Sequence, residues 1–84
     1  MIHQNNTGQS DQEESHILEK RSKIGDTIRT IREKRGLSQD QLAVIMNISR
    51  STISKIENGK FNITVDYLAR FSIPLDFEFQ IVER

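Results

Sequence analysis

Apolar residues recur along this chain at two different spacings, and the change from one to the other divides it. Over 23–35, Ile24, Ile28 and Ile31 share one helical face, with Ser22 placed to cap the start and Gly36 to stop the end. Over 39–46, Leu42, Ala43 and Met46 make a second such face; Ser38 opens it, and Gln41 three residues on completes a capping box. Asn47, a residue that tolerates left-handed backbone, ends that segment. Ser49 caps a third segment, 50–57, in which only Ile53 and Ile56 point inward, and Gly59 offers a left-handed stop. Thr64 caps a fourth, about 65–71, with Val65, Leu68 and Phe71 inward. Pro74 blocks further helix, and beyond it the period drops to two. Leu75, Phe77, Phe79 and Ile81 alternate with Asp76, Glu78, Gln80 and Val82, the pattern of a half-buried strand.

Helices as short as 39–46 and 50–57 are not stable alone, so they must brace one another. The second has almost nothing to offer a core beyond its two isoleucines. Its remaining faces read Arg50, Ser51, Thr52, Ser54, Lys55 and Asn58, which suit a polar, negatively charged groove. Two short helices around such a break outline a helix-turn-helix. The strand raises a different question, because a lone strand leaves its backbone groups unpaired. Pairing with the same strand of a second copy, antiparallel across a two-fold axis, is the economical answer. The expected fold is therefore mainly α: a four-helix domain over 16–73 and a dimerisation strand over 74–84. Residues 1–15, polar and without a core face, are expected to form a disordered tail. Ser10 with Glu13 offers an alternative start for a helix running through Ile17 and Leu18.

With 84 residues and no cysteine, the chain is one modest domain without disulfides or thiolate metal sites. It has no apolar run of membrane length and no signal-peptide pattern, so a soluble cytoplasmic protein is expected. Net charge is zero, but it is unevenly spread. Ten basic residues against four acidic ones give +6 between Lys20 and Lys60, while the first 19 residues carry −4 and residues 61–84 carry −2. Positive charge thus gathers on the helix-turn-helix, as phosphate binding requires. His3 and His16 read as incidental, and no phosphate loop, metal-ligand spacing or nucleophile constellation is present. The chain is not expected to be an enzyme or to hold a cofactor.

The stretch 37–60, LSQDQLAVIMNISRSTISKIENGK, resembles the Xre/Cro family of helix-turn-helix domains. The matching pieces are Gly36-Leu37-Ser38-Gln39, Gln41-Leu42-Ala43, Ile48-Ser49 and the run from Ser51 to Gly59; Asn47 stands where the family usually has glycine. The likeness runs from about Lys23 to Phe71. It implies a lambda-repressor-like four-helix fold in which 50–57 enters the major groove of double-stranded DNA. On a helical wheel with Ile53 and Ile56 inward, Ser51, Ser54, Lys55 and Asn58 turn outward, and Arg50 stands at the end that enters the groove first. The family commonly places base contacts at the positions of Arg50, Ser51 and Lys55 and sometimes at Ser54, and phosphate contacts at Gln39, Asn58 and Lys60; Thr52 is expected to pack or to contact a phosphate. It also pairs an arginine of the first helix with the glutamate before the Asn-Gly stop, here Arg32 and Glu57.

The functional expectation is a sequence-specific, dimeric repressor acting on a roughly palindromic operator. A helix-turn-helix followed at once by a proline and a terminal strand is also similar to antitoxins of Hip-type toxin–antitoxin systems, which implies a cognate toxin as a further partner. The alternatives are a stand-alone phage-type or chromosomal repressor, and a protein-interaction module that kept the fold without DNA binding. Arg50, Ser51 and Lys55 argue against the last.

Overall fold

The computed structural model describes residues 2–84, with side chains from Asp11 onward. Four helices follow in order: α1 (Ile2–Lys34), α2 (Gln39–Met46), α3 (Arg50–Glu57) and α4 (Val65–Leu75). They surround one core, to which α1 gives Ile28, α2 gives Leu42, Ala43 and Met46, α3 gives Ile53 and Ile56, and α4 gives Phe71 and Leu75.

Each of the last three helices opens on a side-chain cap. Ser38 accepts from the Gln41 amide while the Gln41 side chain accepts from the Ser38 amide, a complete capping box. Ser49 accepts from the Thr52 amide and Thr64 from the Tyr67 amide. All four helices end by turning left-handed, at Gly36 (φ 75°), Asn47 (φ 56°), Gly59 (φ 72°) and Asp76 (φ 57°). At each stop the amide of the next residue reaches back to a carbonyl five residues earlier: Leu37 to Arg32, Ile48 to Ala43, Lys60 to Lys55, and Phe77 to Ser72. These bonds satisfy carbonyls that a helix end would otherwise leave bare.

Two arginines tie other helix ends together. Arg35, just beyond α1, donates to the carbonyls of Leu75 (2.8 Å) and Asp76 (3.0 Å) at the end of α4. Arg70 of α4 donates to the Met46 carbonyl at the end of α2 and lies 5.4 Å from the Tyr67 ring centroid. Each places a cation on the negative end of a helix dipole.

The structure departs from the sequence expectations in three places. First, α1 runs on through the segment expected to be an unstructured tail. Residues 11–20 are all exposed, so no packing holds them. A helix needs none there once its C-terminal half is anchored, because propagation costs little after nucleation. An exposed Glu19–Lys23 pair one turn apart (3.4 Å) adds a small increment.

Second, Pro74 lies inside α4 instead of ending it at residue 71. Its ring costs the helix one bond to the Arg70 carbonyl. The extra turn puts Leu75, wholly buried, one turn below the equally buried Phe71, and that burial outweighs the lost bond. The longer helix also rotates the inward face. Val65, expected inside, is 68% exposed, roughly 90 degrees from the Leu68–Phe71–Leu75 stripe.

Third, no strand forms among the described residues. Of the four positions assigned to a dimer strand, Leu75 belongs to α4 and the core, and Phe77 is partly buried against that core. Phe79 and Ile81 are 45% and 99% exposed on an irregular segment. A strand exists by its ladder bonds, and this segment has no neighbouring strand in its own chain to supply them.

Candidate nucleic-acid interface

The turn between α2 and α3 aims the candidate reading helix. Asn47 in the left-handed region reverses the chain, and Ile48, partly buried on the core, pins the turn. Ser49 then starts α3 with its hydroxyl 3.0 Å from the Thr52 amide and 2.8 Å from the Thr52 hydroxyl. With Ile53 and Ile56 buried, Arg50, Ser51, Lys55 and Asn58 are exposed, and Thr52 and Ser54 are half-buried.

The side chains expected to meet bases are not equally free. Arg50 lies 3.4 Å from Asp40 at the start of α2, in a pair exposed on both sides and therefore cheap to exchange for another anion. Among the described residues, Lys55 has no carboxylate partner. Ser54 is the distant hydroxyl in a contact from the Asn58 amide, which chiefly donates to the Ser54 carbonyl (2.9 Å).

The phosphate group of residues divides similarly. Lys60 is exposed and without a carboxylate partner among the described residues, while Thr52 is tied to Ser49 and Asn58 folds back on α3. Gln39 stands first in α2, where backbone N–H groups lack helical partners, but its side chain turns inward to Glu57 (3.0 Å).

That inward turn exposes the anchor of α3. Arg32 grips Glu57 with a fork, Nε to Oε2 at 2.6 Å and Nη2 to Oε1 at 3.0 Å. Its remaining Nη1 donates to the Leu37 carbonyl at 2.8 Å. Only 7% of Arg32 and 5% of Glu57 is exposed. No buried side-chain polar atom among the described residues lacks a partner, so the charges are desolvated but satisfied. The hydrogen bond to Glu57 holds the Arg32 guanidinium above its already high solution pKa, against the opposing pull of burial.

A second anchor escaped the sequence reading. A Cβ at Gly25 would fall 2.2 Å from the Ile56 carbonyl oxygen and 2.9 Å from that of Glu57. A Cβ at Gly59, on the far side, would fall 2.9 Å from the Ser22 Cα. The C-terminal end of α3 therefore lies directly on the backbone of α1, closer than any side chain permits. The available signal was a glycine inside an otherwise regular helical pattern, which costs helix stability and so asks for a packing reason.

The net charge of +6 between Lys20 and Lys60 stands, but not all of its cations are free. Arg32 and Arg35 are spent on Glu57 and on helix-end carbonyls, and Arg29 pairs with Asp26. On α3 and just beyond it, Lys55 and Lys60 have no carboxylate partner among the described residues, and Arg50 is held only by its exposed pair with Asp40. No group of acidic or histidine side chains that could hold a metal occurs among the described residues, and His16 is exposed on α1. The side chain of His3 lies outside the described residues. No helix among them is long and apolar enough to cross a membrane.

Comparison with known proteins agrees with this geometry. A family model described as helix-turn-helix matches residues 28–81, which is most of the chain. The chain belongs to the helix-turn-helix family. This is a family of transcription regulators and not of enzymes. The chain is 54% identical over 39 residues to the uncharacterized HTH-type transcriptional regulator RghRB of Bacillus subtilis (strain 168), covering 46% of this chain and 28% of that protein. It is 43% identical over 56 residues to the HTH-type transcriptional regulator SlrR of the same organism, covering 66% and 37%. The chain thus spans well under half the length of these curated relatives. In three dimensions it is similar to the crystal structure of the restriction-modification controller protein C.AhdI from Aeromonas hydrophila. The TM-score is 0.66 at 30% identity, covering 70% of this chain and 89% of that one.

None of these three proteins is described as an antitoxin. The narrower Hip-type likeness rested on a proline followed directly by a strand, and here Pro74 is helical and the strand is unformed.

Proposed function

We propose that this helix-turn-helix protein is a sequence-specific transcriptional repressor that binds double-stranded DNA in the cytoplasm, with α3 in the major groove. The observation that carries the reading is a short helix whose exposed side is Arg50, Ser51 and Lys55, clamped by a buried ion pair and a glycine contact. Rigid support under exposed, hydrogen-bonding side chains is what base readout needs. Arg50 forks onto a guanine edge in exchange for Asp40, Ser51 and Ser54 supply hydroxyls, and Lys55 meets a base or its phosphate. Lys60 and the first turn of α2 hold the backbone.

The repressor acts as a homodimer on two half-sites. Supporting this, α1, α4 and the C-terminal segment leave an apolar groove of about 670 Å³ between Ile24, Ile31, Leu68 and Phe79. The exposed Phe79, Ile81 and Val82 beside it match the need for cover. Residues 77–82 gain ladder partners only against a second copy, so the strand forms on dimerisation.

Fluorescence anisotropy on labelled duplexes tests both parts. Arg50→Ala should cost roughly ten- to a hundredfold on the preferred duplex and little on scrambled DNA. Lys60→Ala should weaken both duplexes alike and lower the salt slope by about one. Ile81→Asp should sediment as a monomer and lose the advantage of a two-half-site duplex. Equal affinity of wild type and Arg50→Ala for the preferred duplex would remove α3 as the reader.

A further inference from the structure

The N-terminal half of α1 projects from the domain, outside the stretch that matches the family. Its side chains from Asp11 to Lys20 are all exposed, yet it is not polar all round. Ile17 and Leu18 are 42% and 47% exposed and share a shallow depression with Glu14 and Arg21. On a helical wheel these four fall within about 100 degrees of one another, on the face that carries Ile28 and Arg32 further along. The core-facing side of α1 thus continues into solvent with nothing of this chain to cover it.

Charge indicates what covers it. Asp11, Glu13 and Glu14 precede the apolar pair, and Lys20, Arg21 and Lys23 follow it. The segment is acidic at one end, basic at the other and apolar in the middle, so it complements itself when laid antiparallel. We propose that two copies associate through this segment, with Leu18 of each against Ile17 of the other and each Glu14 meeting the other's Arg21. A parallel arrangement would set like charges together.

This surface is distinct from the C-terminal segment and goes beyond the dimer proposed above. Two apolar side chains per copy make a weak contact, well below the size of a stable standing interface. It gains force when operator DNA holds two dimers side by side, where the high effective concentration makes the contact intramolecular. The consequence is cooperative occupation of neighbouring operators.

Sedimentation of the full chain at about millimolar concentration, where so weak a contact is populated without DNA and far above the concentration that tests the C-terminal dimer, tests the proposal. Glu14→Arg and Arg21→Glu should each weaken association beyond the dimer by roughly tenfold, since two attractive pairs become repulsive. Their helicity and thermal midpoint should stay unchanged, because both sites stand clear of the core. An equimolar mixture of the two variants should restore association, because the Glu14→Arg copy then presents two basic side chains to the two acidic ones of the Arg21→Glu copy. The chain has no cysteine, so Glu14→Cys and Arg21→Cys proteins can also be mixed and oxidised. The mixed disulfide should exceed either homodimeric one. Repeating the mixing in an Ile81→Asp background separates this contact from the C-terminal one, and the α1 contact should survive there. Weakening without rescue on mixing, or a predominant 14–14 disulfide, would overturn the antiparallel arrangement; single variants that associate like wild type would remove the surface altogether.

Discussion

Glu57→Ala should lower the stability of the domain by about 3–5 kcal/mol, enough to leave so small a fold largely unfolded at physiological temperature. The loss comes from Arg32 and not from missing attraction alone. Arg32 is almost fully buried, and without Glu57 two of its three hydrogen-bonded nitrogens face no acceptor. A desolvated guanidinium then has only the Leu37 carbonyl, and Gln39 loses its acceptor as well. Urea unfolding followed by circular dichroism measures the effect. The paired change Arg32→Met with Glu57→Leu should recover most of the stability, because removing both charges removes the penalty for burying either one. If Glu57→Ala unfolds at the wild-type urea concentration, the pair is not the anchor described above.

The pair is also insensitive to alkali. Glu57 raises the pKa of Arg32 in the folded state. A raised folded pKa contributes stability that is complete below the unfolded value and lost only as pH climbs past the folded one. Both lie beyond ordinary alkaline conditions, so Arg32 adds no pH dependence to folding in any usual buffer.

Gly25→Ala should lower the thermal midpoint by about 5–15 °C, taking about 1–3 kcal/mol for overpacking in a domain of this size. The sign is the informative part. Inside an exposed helix, glycine to alanine gains about 0.5–1 kcal/mol. At position 25 the new methyl group would sit 2.2 Å from the Ile56 carbonyl oxygen, a backbone atom that cannot swing aside. The end of α3 must lift off α1, and DNA affinity should fall with stability. Ser15→Ala, on the exposed half of the same helix, serves as the control and should not destabilise. A higher midpoint for Gly25→Ala would show that α1 and α3 are not in backbone contact.

These two anchors illustrate how far a sequence can be read. The helices and their caps were legible because each depends on residues within one turn: Ser38 with Gln41, Ser49 with Thr52, and Thr64 ahead of Tyr67. Asn47 was legible as a left-handed stop for the same reason. Arg32 with Glu57 came from the resemblance alone, since 25 residues separate them. What escaped is tertiary. Gly25 has meaning only once α3 lies across it. Leu75 alternates with its neighbours as a strand residue would, and only its place below Phe71 in the core makes it helical. The same burial carried α4 through Pro74, against a strong local rule. Arg35 and Arg70 counted as cations or surface residues until the helix ends they cap were in place. Residues 1–15 looked unstructured because they have no core face, and a helix already anchored downstream requires none.

The most direct test of the central claim is a selection of duplexes from a random pool by the wild-type protein and by a variant carrying alanine at Arg50, Ser51 and Lys55. These side chains leave the core, the caps and both anchors untouched, so the variant should fold normally. The wild type should enrich one sequence made of two related half-sites, and the variant should enrich none. Enrichment of the same sequence by both proteins would contradict the assignment of α3 as the reading helix.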